Sequence, residues 1–354
     1  MTFYDIEYII IIVVLISVFF IGLKSRSIEY DKLYLPFVID KQMAVALKGL
    51  ACVLILLGHW GQRKFDVDMP WGVSKVVWNT TANIGLVWFM FFSGYGMFES
   101  FKKKGEKYVS TVPIRFLKLF VRFDIAVILF YIVSLCIGVH YKPQTVLLAL
   151  TGWSSLGNSN WYVFVILCLY IIFYFSFKFT KGSQLSSALL FTVGSVGLII
   201  LLMLVKDEEH WYNTILSFTA GIWFSYFRQP FEKWLGKSQI KYGAVLLVTI
   251  LLFFLCHSRI SVSLMAYEFT GIFFCMIIVL LSKRFSIENR MLNWLGNHVF
   301  SIYILQRIPM IIGRELGLNE YVFLYFFLSL ASTVLLAVLF DRLTLHLEKR
   351  IFIR

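Results

Sequence analysis

Two ionisable residues bracket an apolar run near the start of the chain. Residues 48–59 read KGLACVLILLGH, a lysine and a histidine with no charge between them. On a helix, eleven steps turn the chain about 1100°, three turns plus roughly 20°, so Lys48 and His59 share one face. At the helical rise they stand about 16 Å apart, about half the depth of a hydrocarbon core. They cannot touch, but they can line two levels of one cavity. Ionisable groups inside apolar runs are costly and mark function by default. An imidazole titrates near neutral pH, which suits it to take a proton from a hydroxyl. An ammonium is a compact point charge that suits a phosphate. Each residue also has a plainer reading: Lys48 as a snorkelling topology signal, His59 as an interfacial amphipath.

Other candidates lie further along. Ser93 and Gly94 in FFSGYG are small residues, suited either to close helix packing or to the approach of a slender ligand. Asn160, Trp161 and Tyr162 in NSNWY can hydrogen-bond to and stack on a sugar, or belong to an interfacial aromatic belt. Arg115 and Arg122, in PIRFLKLFVR, can assist Lys48 with an anionic donor. Glu268 and Arg307 sit at similar depths of their apolar runs and are expected to pair. Of the six histidines only His59 has this context. His140 and His210 fall in loops, His257 at the end of a run, His298 in a polar turn and His346 in the tail. The five cysteines show no paired spacing, so neither a disulfide framework nor a metal site is expected.

The elements that hold these residues are membrane helices. Of 354 residues, 59% are hydrophobic, 18% aromatic and only 15% charged, and mean hydropathy is +0.79. Soluble domains carry about 25% charge and no series of long apolar runs. We read an all-α polytopic membrane protein with about eleven transmembrane helices. The spans lie near 6–23, 43–60, 83–101, 117–139, 160–178, 186–205, 211–227, 242–257, 261–281, 295–313 and 320–342. The pieces WGVSKVVW and TVLLALTGW are too short to span and read as interfacial or re-entrant.

Lysine and arginine set the orientation. One set of alternate connections holds 24 of the 33, whereas the other holds eight with Arg307 included. The basic side is therefore expected in the cytoplasm, with the N-terminus outside and the C-terminus inside. The net charge of +13 is mainly this bias, so lipid headgroups are its expected partner and nucleic acid is not. The first run follows acidic residues and lacks a small-residue cleavage site, so it reads as an extra anchoring helix rather than a signal peptide. The expected organisation is an extra helix and linker over 1–40, one membrane domain over 41–345 and a cytoplasmic tail over 346–354.

Taken together, these segments resemble the acyltransferase 3 family of bacterial membrane acyltransferases. LKGLACVLILLGHW resembles the family's basic-residue-x10-His motif, and FFSG at 91–94 resembles its Phe-Phe-x-x-Ser-Gly-Phe segment. The basic turn at 113–122, the span at 158–173 and LGNHVFSIYILQRIP at 295–309 resemble later family segments. There are departures: Lys48 stands where many members have Arg, no Glu follows the Trp-Tyr pair, and Gln306 stands where a His is common. The resemblance implies a ten-helix catalytic body behind the extra helix. It also implies a plasma-membrane enzyme moving an acyl group from acyl-CoA, most simply acetyl-CoA, to a saccharide hydroxyl, with no bound cofactor. His59 would act as general base, or as a transient acyl carrier. Lys48, Arg115 and Arg122 would bind the donor. A transporter or flippase for a lipid-linked glycan is the rival class, disfavoured by the lack of an internal repeat. A structural subunit of a polymer-assembly complex is a third.

Overall fold

The computed structural model describes residues 3–21, 23–25, 41–65, 73–236 and 238–352. The linker at 26–40, the loop at 66–72, including Asp68, and Lys237 lie outside the described residues. In chain order the helices are α1 (Phe3–Phe20), α2 (Lys41–Phe65), α3 (Val73–Lys104), α4 (Glu106–Val109), α5 (Val112–Cys136) and α6 (Pro143–Leu150). Next come α7 (Trp161–Phe179), α8 (Gln184–Val205), α9 (Ile215–Leu235), α10 (Gln239–His257) and α11 (Leu264–Leu281). The series closes with α12 (Arg290–Asn297), α13 (Val299–Leu305), α14 (Arg307–Glu315) and α15 (Val322–Phe352). Two short strands, β1 (Leu23–Ser25) and β2 (Phe285–Ile287), pair antiparallel.

Among the described residues, seven helical segments are long and apolar enough to cross a membrane. Their outward faces are greasy. On α8, Leu189, Val193, Val196, Ile200 and Leu204 form an exposed stripe at helical spacing, the pattern of a helix bathed in lipid rather than water. The chain is a multipass membrane protein.

Two expectations about the helices need correction. The run at 295–313 is not one helix but breaks at His298 and Gln306. Pro309 has no N–H to bond the Leu305 carbonyl, and its ring crowds that group, so α13 stops there. The His298 side chain bonds Asp341, with Nδ1 to Oδ2 at 2.5 Å. WGVSKVVW is not a separate interfacial piece, because from Val73 it opens the 32-residue α3. TVLLALTGW does form a short element, the eight-residue α6.

The basic connections gather at one end of the bundle. β1 joins the connection after α1 to the one after α11, with Lys24 bonded to Glu288 beside it. Lys102 at the end of α3 bonds Glu99 and the Ser225 carbonyl of α9. Arg122 of α5 bonds Glu348 of α15 at 2.5 Å and Asp341 at 3.4 Å. We call this the Lys48 end and its opposite the His59 end.

Glycines set the closest helix crossings. A Cβ on Gly94 of α3 would collide with the Phe218 carbonyl of α9, and one on Gly221 of α9 with the Phe91 carbonyl of α3. Gly49 of α2 and Gly296 of α12 are reciprocal in the same way, against Leu292 and Val45. Such small-residue contacts let backbones approach where lipid supplies no hydrophobic drive between helices. Gly221→Val is therefore expected to lose roughly 1–3 kcal/mol or more, since a backbone carbonyl has no rotamer to yield. Gly197→Val, in α8 with open space beside it, is the control. Thermal melting in detergent reads both, and equal melting temperatures would refute the crossing.

α1 is more than a remote anchor. Its Ile11 is buried in one cluster with Leu56, Leu57 and Trp60 of α2, Met310 of α14, and Tyr325 and Phe326 of α15. The larger core lies between α2, α3, α5, α7, α13 and α15.

Candidate active site

His59 stands on the wall of a cavity of about 550 Å³ at the His59 end. α2 supplies Ile55, Gly58 and His59, α3 supplies Leu86, and Arg307 enters from the start of α14. The remaining wall comes from two connections, residues 153–161 and 206–211.

The first connection is irregular yet buried. Gly152 and Gly157 take positive φ of 77° and 97°, which lets the chain turn tightly where a side chain would be strained. The Asn158 carboxamide accepts from the Leu156 N–H at 2.9 Å, and Ser155 donates to the Asn158 carbonyl at 2.7 Å. Asn160 donates to the Gly152 carbonyl at 2.7 Å, closing the loop on itself at the start of α7. The result presents Ser159 to His59, with Oγ 3.4 Å from Nε2.

The second connection is tied to the first through a cation. The Lys206 ammonium lies 3.7 Å from the Trp153 ring centre and 3.8 Å from that of Trp211, and donates to the Trp153 carbonyl at 2.9 Å. Of the aromatic side chains tryptophan makes the strongest contact of this kind. The His210 ring packs 5.3 Å from Trp161, and the Trp211 indole N–H donates to Glu208 at 3.2 Å. Burial lowers the pKa of His210, opposed by Glu208 and reinforced by Arg307 and Lys206, so its neutral form is favoured. Burial likewise lowers Lys206, with Glu208 raising it. The cavity thus combines three indoles with hydroxyl, carboxamide, carboxylate and guanidinium groups around an imidazole.

Lys48 does not share this cavity. It lines a smaller one of about 210 Å³, with Phe89, Ser93, Leu119, Tyr162, Ile166, Tyr170, Val299, Phe300 and Tyr303. No carboxylate is among these residues. The expectation of two levels in one cavity is therefore corrected to two cavities stacked one above the other. α2, α3, α7 and the broken α13–α14 segment line both, but no residue is common to the two linings. Tyrosines occupy the level between. The Tyr303 ring lies 6.4 Å from His59 and 5.2 Å from Tyr162.

A family model described as an acyltransferase domain matches residues 45–342. The chain belongs to the acyltransferase 3 family. Comparison with curated proteins and with solved structures gave no match. The matched segment runs from α2 into α15, so the acyltransferase domain holds both cavities, whereas α1 precedes it.

Within this acyltransferase domain the residues singled out from sequence are dispersed. His59, Asn160 and Trp161 line the larger cavity, and Lys48, Ser93 and Tyr162 line the smaller. Gly94 lines neither and instead serves the crossing of α3 with α9. Arg122 is engaged by Asp341 and Glu348, so its guanidinium belongs to an ion cluster rather than to an open donor site. Arg115 is exposed, with its guanidinium 5.0 Å from the Tyr108 ring centre. Glu268 does not pair with Arg307. It accepts from the Leu216 N–H at 3.0 Å at the start of α9, a good place for a carboxylate. Among the described residues no cluster of three or more metal-ligating side chains occurs.

Several cavity residues escaped the sequence reading: Trp153, Ser159, Lys206, Glu208, His210 and Trp211. His210, expected to be a loop histidine of no special role, is part of the wall. The signal available for it was the clustering of ionisable and aromatic residues in KDEEHW.

Proposed function

We propose that the protein transfers an acyl group, most simply acetyl from acetyl-CoA, to a hydroxyl of a cell-surface or lipid-linked saccharide, with His59 as general base. The observation that carries this reading is the company His59 keeps in an acyltransferase domain. Its cavity is walled by Trp153, Trp161 and Trp211 beside serine, asparagine and glutamate side chains. Indole faces pack on the C–H faces of sugars, and fixed polar groups orient the hydroxyls. An acyl thioester is already activated, so the protein's task is to remove the acceptor proton and hold the oxyanion. Lys48, in a pocket with no carboxylate, is the proposed contact for a phosphate of the donor, with Arg115 near the same end.

The proposed setting is a bacterial plasma membrane, with lipid as the other partner, the N-terminus outside and the C-terminus in the cytoplasm. The catalytic body would cover 41–345, with 1–40 as the extra helix and linker. The Lys48 end would then meet cytosolic donor and the His59 end the acceptor. Mass spectrometry of surface polysaccharides from cells with and without the gene tests the reading. The expected difference is the mass of one acetyl group per modified unit. Loss of the polymer with no change in acylation would support the transporter instead.

A further inference from the structure

The layer between the two cavities contains the hydroxyl of a buried tyrosine. Tyr303 on α13 is 2% exposed. Its phenol oxygen lies beside the Ser159 hydroxyl. The ring lines the Lys48 cavity and lies 6.4 Å from the imidazole that lines the other. Ser159, next to that phenol, is itself 3.4 Å from His59 Nε2. One donor therefore stands where material from the Lys48 cavity would first come within reach of the His59 base.

We propose that the Tyr303 hydroxyl is a catalytic residue that holds the carbonyl oxygen of the acyl thioester. The inference rests on the proposed acyl transfer. In the step it serves, the acceptor hydroxyl gives its proton to the His59 imidazole and its oxygen bonds the thioester carbonyl carbon. The carbonyl π pair moves onto oxygen, where the phenol O–H donates to it. As the pair returns, the carbon–sulfur bond breaks. The imidazolium proton goes to the departing sulfur, leaving an ester and a free thiol. A donor aimed at the oxyanion acts on the rate more than on binding, because the charge develops only during reaction.

The test uses the full chain in nanodiscs, radiolabelled acetyl-CoA, and polysaccharide extracted from cells lacking the gene. Tyr303→Phe keeps the ring packing and removes the donor. The expected result is a kcat lower by roughly 100- to 1000-fold. The KM for acetyl-CoA should stay within about threefold of the parent. A 3-fluorotyrosine at position 303 should restore turnover, because it returns the O–H while keeping the ring. A Tyr303→Phe variant with kcat near that of the parent overturns the proposal and leaves the acyltransfer reading standing. Equal loss in the phenylalanine and fluorotyrosine variants also overturns it, since the O–H would then not be what matters. No labelled product from the parent chain overturns both.

Discussion

His59→Ala is expected to abolish measurable acyl transfer while leaving the protein folded in the membrane. Positioned general bases contribute typically 10²- to 10⁴-fold to rate, and the upper part of that range applies where no second base is in reach. His210 lines the same cavity, but its ring is packed on Trp161, whereas Ser159 stands 3.4 Å from His59. The helix does not depend on His59 for its hold. The neighbouring Trp60 is fully buried in the cluster with Leu56, Leu57 and Tyr325, and apolar contacts of that kind fix α2. The measurements are acetyl transfer to polysaccharide, melting temperature in detergent and binding of acetyl-CoA. Near-parental product from a correctly inserted variant removes His59 from the mechanism.

Lys48→Gln separates a donor-binding ammonium from a topological one. A charge-assisted contact to a phosphate is worth roughly 1.5–3 kcal/mol, or about 10- to 150-fold in affinity. The KM for acetyl-CoA should rise by that factor and the KM for the acceptor far less. Lys48→Arg retains the charge and should retain substantial activity. The structure adds a reason to expect a large effect. The pocket around Lys48 offers tyrosine, phenylalanine and serine but no anion of its own, so an arriving phosphate meets no internal competitor. Arg122→Gln is the useful contrast, since it breaks a cluster with Asp341 and Glu348 and should lower stability rather than donor affinity. Unchanged acetyl-CoA dependence in a correctly inserted Lys48→Gln chain would leave Lys48 as a topology signal.

Much of this was legible in the sequence, for different physical reasons. The membrane class followed from apolar runs longer than any soluble core needs, and the Lys48–His59 alignment from the period of a helix. What spacing could not give was partition. Whether two levels share a cavity depends on the side chains that meet from other helices, here Tyr162 and Tyr303, more than a hundred residues away from Lys48 and from each other. Arg122 illustrates the same limit: its carboxylates, Asp341 and Glu348, lie over two hundred positions downstream. For Gly94 the sequence allows either packing or ligand approach, and the Phe218 carbonyl against it decides for packing. The break at Gln306 was readable in principle from Pro309. The loop at 153–161 was not, because its shape depends on hydrogen bonds among Ser155, Leu156 and Asn158 that no periodicity announces.

The tyrosine layer has a consequence for the membrane as a whole. A protein hollowed from both ends is an electrical liability, since each elementary charge that leaks across 100 mV dissipates about 2.3 kcal/mol. The two hollows here share no lining residue, and between them lie the rings of Tyr162 and Tyr303, 5.2 Å apart. Packed rings offer an ion no chain of carbonyls to follow. On the proposed acyl-transfer reading, the same layer would insulate the two chambers, letting chemistry pass between the faces of the bilayer without a current passing with it.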